Sequence, residues 1–340
     1  MPDGRFLTAY IDLPFLERLF REKPEDPATP PHDNWPEVWQ NVYRFLQKSA
    51  KIVVGADRDT INSNGLLARF LFGMGNTRHV EPRSGLISEY KSPEEVDIDN
   101  PFSVYLFESP EVPIGELRER TGLLFLRYKN LKTDWPRLFR EHVVNVLPKE
   151  EPPFEWSDLC PHAVPLNAVV IADKYAHEQF NDKSFDQNLG ALLRTILPED
   201  QLDVPIHVTL VTDLTEPYDE GVAGPNEICD RLRDKLQDYR PDLTFRVTVV
   251  GYGRNGHKDR YIFTNYGVFS SNDSFTFFKN GALDKETLVT YHPNSTRGST
   301  VTRPRLQRLQ DLCNDPREYG TEGVLLASGA NKNRLLRVVD

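Results

Sequence analysis

The chain has 340 residues, 39% of them hydrophobic and 27% charged, with a formal net charge of −10. That much apolar material supports a packed core and excludes global disorder. The length sets two domains as the default, with one large domain as the alternative. The acidic balance argues against a general nucleic-acid binder driven by phosphate neutralisation. Apolar runs such as 122–126 and 168–172 fall far short of the ~20 residues of a membrane helix, so no membrane partner is expected. The opening MPDGRFLTAYIDLPF has no basic start leading into an apolar stretch, which argues against a secretory signal. Cys160, Cys229 and Cys313 lie far apart without a CxxC pair, so neither a disulfide framework nor a zinc knuckle is expected and a reducing cytoplasm fits.

Residues 1–150 read as an N-terminal α/β domain of unassigned role. A strand is expected over 6–11, ending at Asp12. Val38, Val42, Phe45 and Leu46 space a helix over 35–49. AKIVVG at 50–55 is a buried-strand candidate, and 65–72 is helical until GMGN stops it. Strands over 103–107 and 123–127 and a helix over 135–146 complete an alternating α/β pattern.

The stretch 148–165 (PKEEPPFEWSDLCPHAVP) holds five prolines and a cluster of acids, and 151–164 is the expected linker. No repeat of fixed period is visible. Residues 165–340 form the second domain. NAVVIA at 167–172 is a buried strand leading to Asp173-Lys174-Tyr175. The spacing of 185–197 is that of an amphipathic helix. IHVTLVT at 206–212 is a strand, 226–239 a helix with Asn226 as its cap, and 245–250 a strand. Short strands over 260–264, 268–270, 275–278 and 288–291 precede a helix over 303–313.

The residues that carry chemistry cluster in this second half. From 251 to 308 there are nine Lys or Arg against four Asp or Glu, a basic segment in an acidic chain that marks a phosphate site or a solvated surface. GYGRNG at 251–256 matches a glycine-rich dinucleotide fingerprint, but the residues after it are His-Lys-Asp-Arg and then a strand pattern. A pyrophosphate site needs a helix there, so a flexible loop is the better account. His257 closes that loop, with Arg260, Asn265, Asn272 and Ser274 in the next hairpin. Imidazole can attack phosphorus or carry a proton, and guanidinium can hold two phosphate oxygens. A hydrogen-bonded structural histidine beside a surface arginine is the competing account.

The order strand, helix, strand, long helix, strand, then His257 and Asp259-Arg260, a strand with Asn265, and the turn Asn272-Asp273-Ser274-Phe275 resembles the phospholipase D-like superfamily in its divergent H-x-D-R branch. The resemblance covers about 165–290. It implies a mixed sheet flanked by helices, a metal-independent phosphodiesterase or nuclease without cofactor, and a catalytic set of His257, Arg260, Asn265 and Ser274. Lys258, Asn272 and Asp173 would bind phosphate. His257 would be the nucleophile or phosphate ligand and Arg260 the cation. Asp259 stands where catalytic members have lysine, Thr264 where they have aspartate, and Asn272 where they have glycine. With one such motif per chain, activity implies a homodimer or a partner chain. Nucleic acid or another phosphate anion is the expected ligand, and the strand vocabulary looks like that of bacterial defence or accessory effectors. The alternative is a non-catalytic module that binds an anionic ligand or a protein.

A second alternative lies in the first half. Asp12 comes after a strand, and Asp57 and Asp59 come after AKIVVG, with Glu108 after SVYLF. Carboxylates at strand ends can hold a divalent metal for hydrolysis, and this start resembles a PIN-like nuclease. Acids at such places are also ordinary turn formers and helix caps.

Overall fold

The computed structural model describes residues 7–24, 34–73, 79–180, 184–213, 224–252, 260–295, 298–314, 325–327 and 333–337. The protein is mixed α/β and divides into two compact units, one of Met1–Arg140 with Pro293–Thr300, the other of Glu141–His292 with Val301–Asp340. Among the described residues no helix is long and apolar enough to cross a membrane.

The first unit runs β1 (Leu7–Asp12), α1 (Leu13–Arg21), α2 (Trp35–Arg44), β2 (Ala50–Gly55), α3 (Arg58–Ser63), α4 (Gly65–Phe72), β3 (Val80–Pro82), β4 (Ser103–Leu106), α5 (Ile114–Thr121), β5 (Leu124–Leu126) and α6 (Leu131–Phe139). Its strands are all parallel, in the order β3-β2-β1-β4-β5. Parallel strands joined by crossover helices are covered on both faces, which is why they read as near-continuous apolar runs. Tyr10, Tyr105 and Phe125 stand in register across β1, β4 and β5 and stack at 4.9 and 4.1 Å between ring centres. The strand order reverses between β1 and β4, so the crevice beyond their carboxyl ends is this unit's switch point.

The second unit contains β6 (His142–Val146), α7 (Cys160–Ala163), β7 (Ala168–Ala172), α8 (Leu189–Ile196), β8 (Ile206–Asp213), α9 (Pro225–Tyr239), β9 (Phe245–Tyr252), β10 (Tyr261–Phe263) and β11 (Gly267–Ser271). It continues with β12 (Phe278–Lys279), β13 (Ala282–Leu283), β14 (Thr287–Pro293), α10 (Gly298–Asn314), β15 (Leu325–Ala327) and α11 (Arg334–Arg337). The main sheet has the order β15-β9-β8-β7-β10-β11-β14-β6. β7, β8 and β9 are parallel, while β10 runs against β7. The separate β12–β13 hairpin turns through Asn280 and Gly281, both at positive φ, a geometry these two residue types adopt at little cost.

Three expectations are corrected here. The helix expected over 135–146 ends at Phe139, and HVVNV forms strand β6 instead. Three β-branched valines favour the pleated state, and α6 is not continued past the extended Arg140. The segment 151–164 is not a bare connector. Phe154, Trp156 and Leu159 are buried in the second core, and Trp156 stacks on Phe277 at 5.0 Å. Finally, α9 begins at Pro225 with Gly224 at its N-cap, so Asn226 is not a capping residue. Proline needs no donor at a first helical position, which moves the start one residue upstream.

Candidate functional site

β7 and β8 are parallel, so their carboxyl ends share one edge of the sheet. β10 starts at the same edge, because Tyr261 pairs with Ala172. The backbone alone therefore delivers Asp173, Asp213 and Arg260 to one margin, outside the carboxyl ends of parallel strands, where open α/β sheets bind their ligands.

Asp173 is buried, and three donors satisfy it. Its Oδ2 accepts from Ser274 Oγ at 2.6 Å and from the Phe275 amide at 2.7 Å, and its Oδ1 accepts from the Tyr175 amide at 3.1 Å. Such bonds to a carboxylate compensate for its removal from water. Two of the three donors are main-chain amides, so the carboxylate also fixes the backbone at Tyr175 and Phe275. The bond from Ser274 pins the 272–275 turn against the end of β7.

Arg260 braces the same turn. Its Nη1 donates to the Asn272 carbonyl at 2.6 Å, and its own carbonyl accepts from the Ser271 amide at 3.1 Å. The guanidinium lies 5.9 Å from the Tyr175 ring centre. Its Nε is buried without a hydrogen-bond partner, and among the described residues Arg260 forms no ion pair. Lys174 sits 5.3 Å from the same ring and 3.7 Å from Asp213 Oδ2.

His177 completes the edge. Thr212 Oγ1 donates to the Lys174 carbonyl at 3.1 Å and accepts from the His177 amide at 3.2 Å. The His177 Nδ1 lies 3.2 Å from the same oxygen. Thr212 Oγ1 thus ties the His177 ring and main chain to the end of β8, beside Lys174.

The structure thus brings together four of the residues singled out in the sequence: Asp173, Arg260, Ser274 and Asn272, the last through its main-chain carbonyl. It does not bring Asn265. In β10 the chain runs away from the edge, and five residues at ~3.3 Å each carry Asn265 to the opposite end of β7. There its Oδ1 accepts from the Asn167 amide and its Nδ2 donates to Asn167 Oδ1, both at 3.1 Å, a buried structural pair. The role expected for Asn265 is corrected accordingly. His257 and Lys258 lie outside the described residues. Sequence reasoning missed Lys174, Tyr175, His177 and Thr212 as a group. The signal for them is Asp-Lys-Tyr directly after one buried strand and Thr-Asp at the end of the next, which places both at carboxyl ends.

The metal alternative in the first unit is corrected as well. Asp12 is buried at the end of β1, where Oδ1 accepts from the Phe15 amide at 2.9 Å and caps α1. Its Oδ2 accepts from the amides of Glu108 and Ser109 at 2.8 and 2.7 Å. Burial pushes its carboxyl above the usual range, against the pull of these amides. Glu108 is engaged by the Tyr128 amide at 2.7 Å and by Arg18 at 3.2 Å. Asp57 caps α3 through the Thr60 amide, which holds its carboxyl low, and Asp59 is exposed in the same helix. Among the described residues no group of three or more His, Cys, Asp or Glu is placed to hold a metal ion.

No protein-family model matches the chain, and no curated protein matches it.

Proposed function

We propose that the second unit is a phospholipase D-like domain that binds a phosphate ester of a nucleic acid or nucleotide at the carboxyl edge of β7 and β8. The observation that carries this reading is Arg260. One arm is fixed by Asn272, the plane approaches Tyr175, and among the described residues no carboxylate neutralises it. A guanidinium held this way keeps its remaining donors oriented for two phosphate oxygens. Lys174, ion-paired with Asp213, lies at the same ring, and His177 brings an imidazole to the same edge. Cleavage is assigned to His257, which the sequence places three residues before Arg260. It would attack phosphorus, with a second copy's imidazole protonating the leaving oxygen. Binding without cleavage is the second reading, favoured by Asp259 where the catalytic pattern has lysine.

The test is incubation of the full chain with labelled single- and double-stranded DNA and RNA, with and without EDTA. Cleavage that survives EDTA and is lost in His257→Ala supports the histidine mechanism. Salt-sensitive binding without cleavage, weakened at least tenfold in Arg260→Ala, supports the binding module. Binding that Arg260→Ala leaves unchanged removes the site.

A further inference from the structure

Among the described residues no strand pairs with the outer edge of the second sheet's last strand, although the His142 ring stacks on His162 at 4.6 Å. β6 is the terminal strand beside β14, and its five residues, HVVNV, include no Lys, Asp, Glu or Pro. Edge strands present a row of main-chain donors and acceptors, and proteins normally blunt them with charge, proline or a bulge. Val144 and Val146 face the core, while Val143 and Leu288, the β14 partner of Asn145, are 49% and 44% exposed.

A groove of about 500 Å3 runs beside this edge. Its lining includes four consecutive strand residues, His142 to Asn145. Successive residues of a strand point to opposite faces. A groove lined by both sets therefore runs along the edge of β6 and does not lie over one face. The opposite wall carries Glu150, Glu151 and Asp158, all exposed. None of the three forms an ion pair among the described residues, and no Lys or Arg lines the groove.

We propose that β6 is a docking strand that pairs with an extended, basic peptide segment of a partner protein, one carrying Lys or Arg at alternate positions. Strand addition would satisfy the edge amides and carbonyls, and the alternation of the added strand would turn every second side chain toward the acidic wall. The same charges disfavour a second copy as occupant, because pairing β6 with itself would set two acidic walls against each other.

The test uses the full chain and a fluorescein-labelled peptide alternating Lys with Val. The controls are a Glu/Val peptide and a Lys/Val peptide N-methylated at every residue, so that neither of its edges can donate to β6. Binding of the first peptide alone, weakened at least tenfold by the double change Glu150→Lys and Glu151→Lys and steeply reduced by salt, supports the proposal. N-methylation keeps every charge and removes only the main-chain donors. Equal affinity for the methylated peptide would therefore overturn strand pairing. Equal affinity in the charge-reversed variant would overturn the acidic wall's role. Self-association of the chain that Val143→Lys abolishes would assign the edge to a second copy and overturn the proposal.

Discussion

The hydroxyl of Ser274 donates to the carboxylate of Asp173 at 2.6 Å, joining residues 101 positions apart in the chain. The bond ties the 272–275 turn to the end of β7, and the same carboxylate accepts from Phe275 and Tyr175. Arg260 holds the turn from its other side through Asn272. The candidate anion site is therefore built on a turn fixed at two points.

Removing either side of that bond has unequal consequences. Ser274→Ala deletes one donor to a carboxylate that keeps two others, at a cost of about 1–3 kcal/mol. Asp173→Ala strands the Ser274 hydroxyl and two amides together and is expected to cost more. Urea denaturation of both variants measures the order. Equal, small losses would show that the turn is held by something else.

Arg260→Lys separates charge from geometry. Lysine keeps the positive charge but has no planar fork to reach Asn272 and a phosphate together. Phosphate-ester affinity is expected to fall about tenfold, close to the loss in Arg260→Ala, equivalent to about 1.4 kcal/mol. Titration of a labelled oligonucleotide measures it. Full retention of affinity in Arg260→Lys would mean that only charge matters at this position.

Asp12 gives a pH prediction. Burial raises its carboxyl above the ~3.9 of an unfolded aspartate, so the native chain holds this proton more tightly than the unfolded chain does. The stability this tighter hold contributes is complete below about pH 4 and is lost as pH rises through the elevated value. Asp12→Asn does not titrate there. The stability margin of the native chain over Asp12→Asn is therefore expected to shrink between about pH 4 and about pH 7. Urea midpoints at both ends of that range test it. A margin that grows with pH would mean that the three amides bonded to Asp12 outweigh its burial.

The buried strands are legible in the sequence, because NAVVIA, IHVTLVT and AKIVVG are apolar runs bounded by polar or turn residues. The grouping of Arg260, Asn272 and Ser274 is legible from their spacing after one short strand, whereas Asp173 joins them only through the phospholipase D-like resemblance. Position along a strand's direction is harder to read. Asn265 is near Arg260 in sequence but sits at the far end of β7, because an antiparallel strand carries its residues away from the edge where it begins. HVVNV reads as helix because its valines continue an apolar pattern begun at Trp135, and only pairing with β14 decides for a strand. Asp12 looks like a metal ligand because a carboxylate at a strand end has the same sequence signature whether it binds an ion or three main-chain amides.

One close approach in the second sheet gives a prediction independent of function. A Cβ built on Gly267 in β11 would collide with the ring of Tyr291 in β14. That ring is fully buried, between Phe269 at 5.0 Å and His162 at 5.1 Å, so it has no room to retreat. Gly267→Ala is therefore expected to destabilise by about 1–3 kcal/mol through overpacking, although alanine ordinarily suits a strand as well as glycine does. Tyr291→Leu alone costs the ring's packing. In the double variant the smaller leucine leaves space for the added methyl, so the two losses should fall short of their sum by more than about 0.5 kcal/mol. A denaturation cycle over the four proteins measures this coupling. Simple additivity would mean that the sheet opens at Gly267 to admit the methyl and that the ring is not what excludes it.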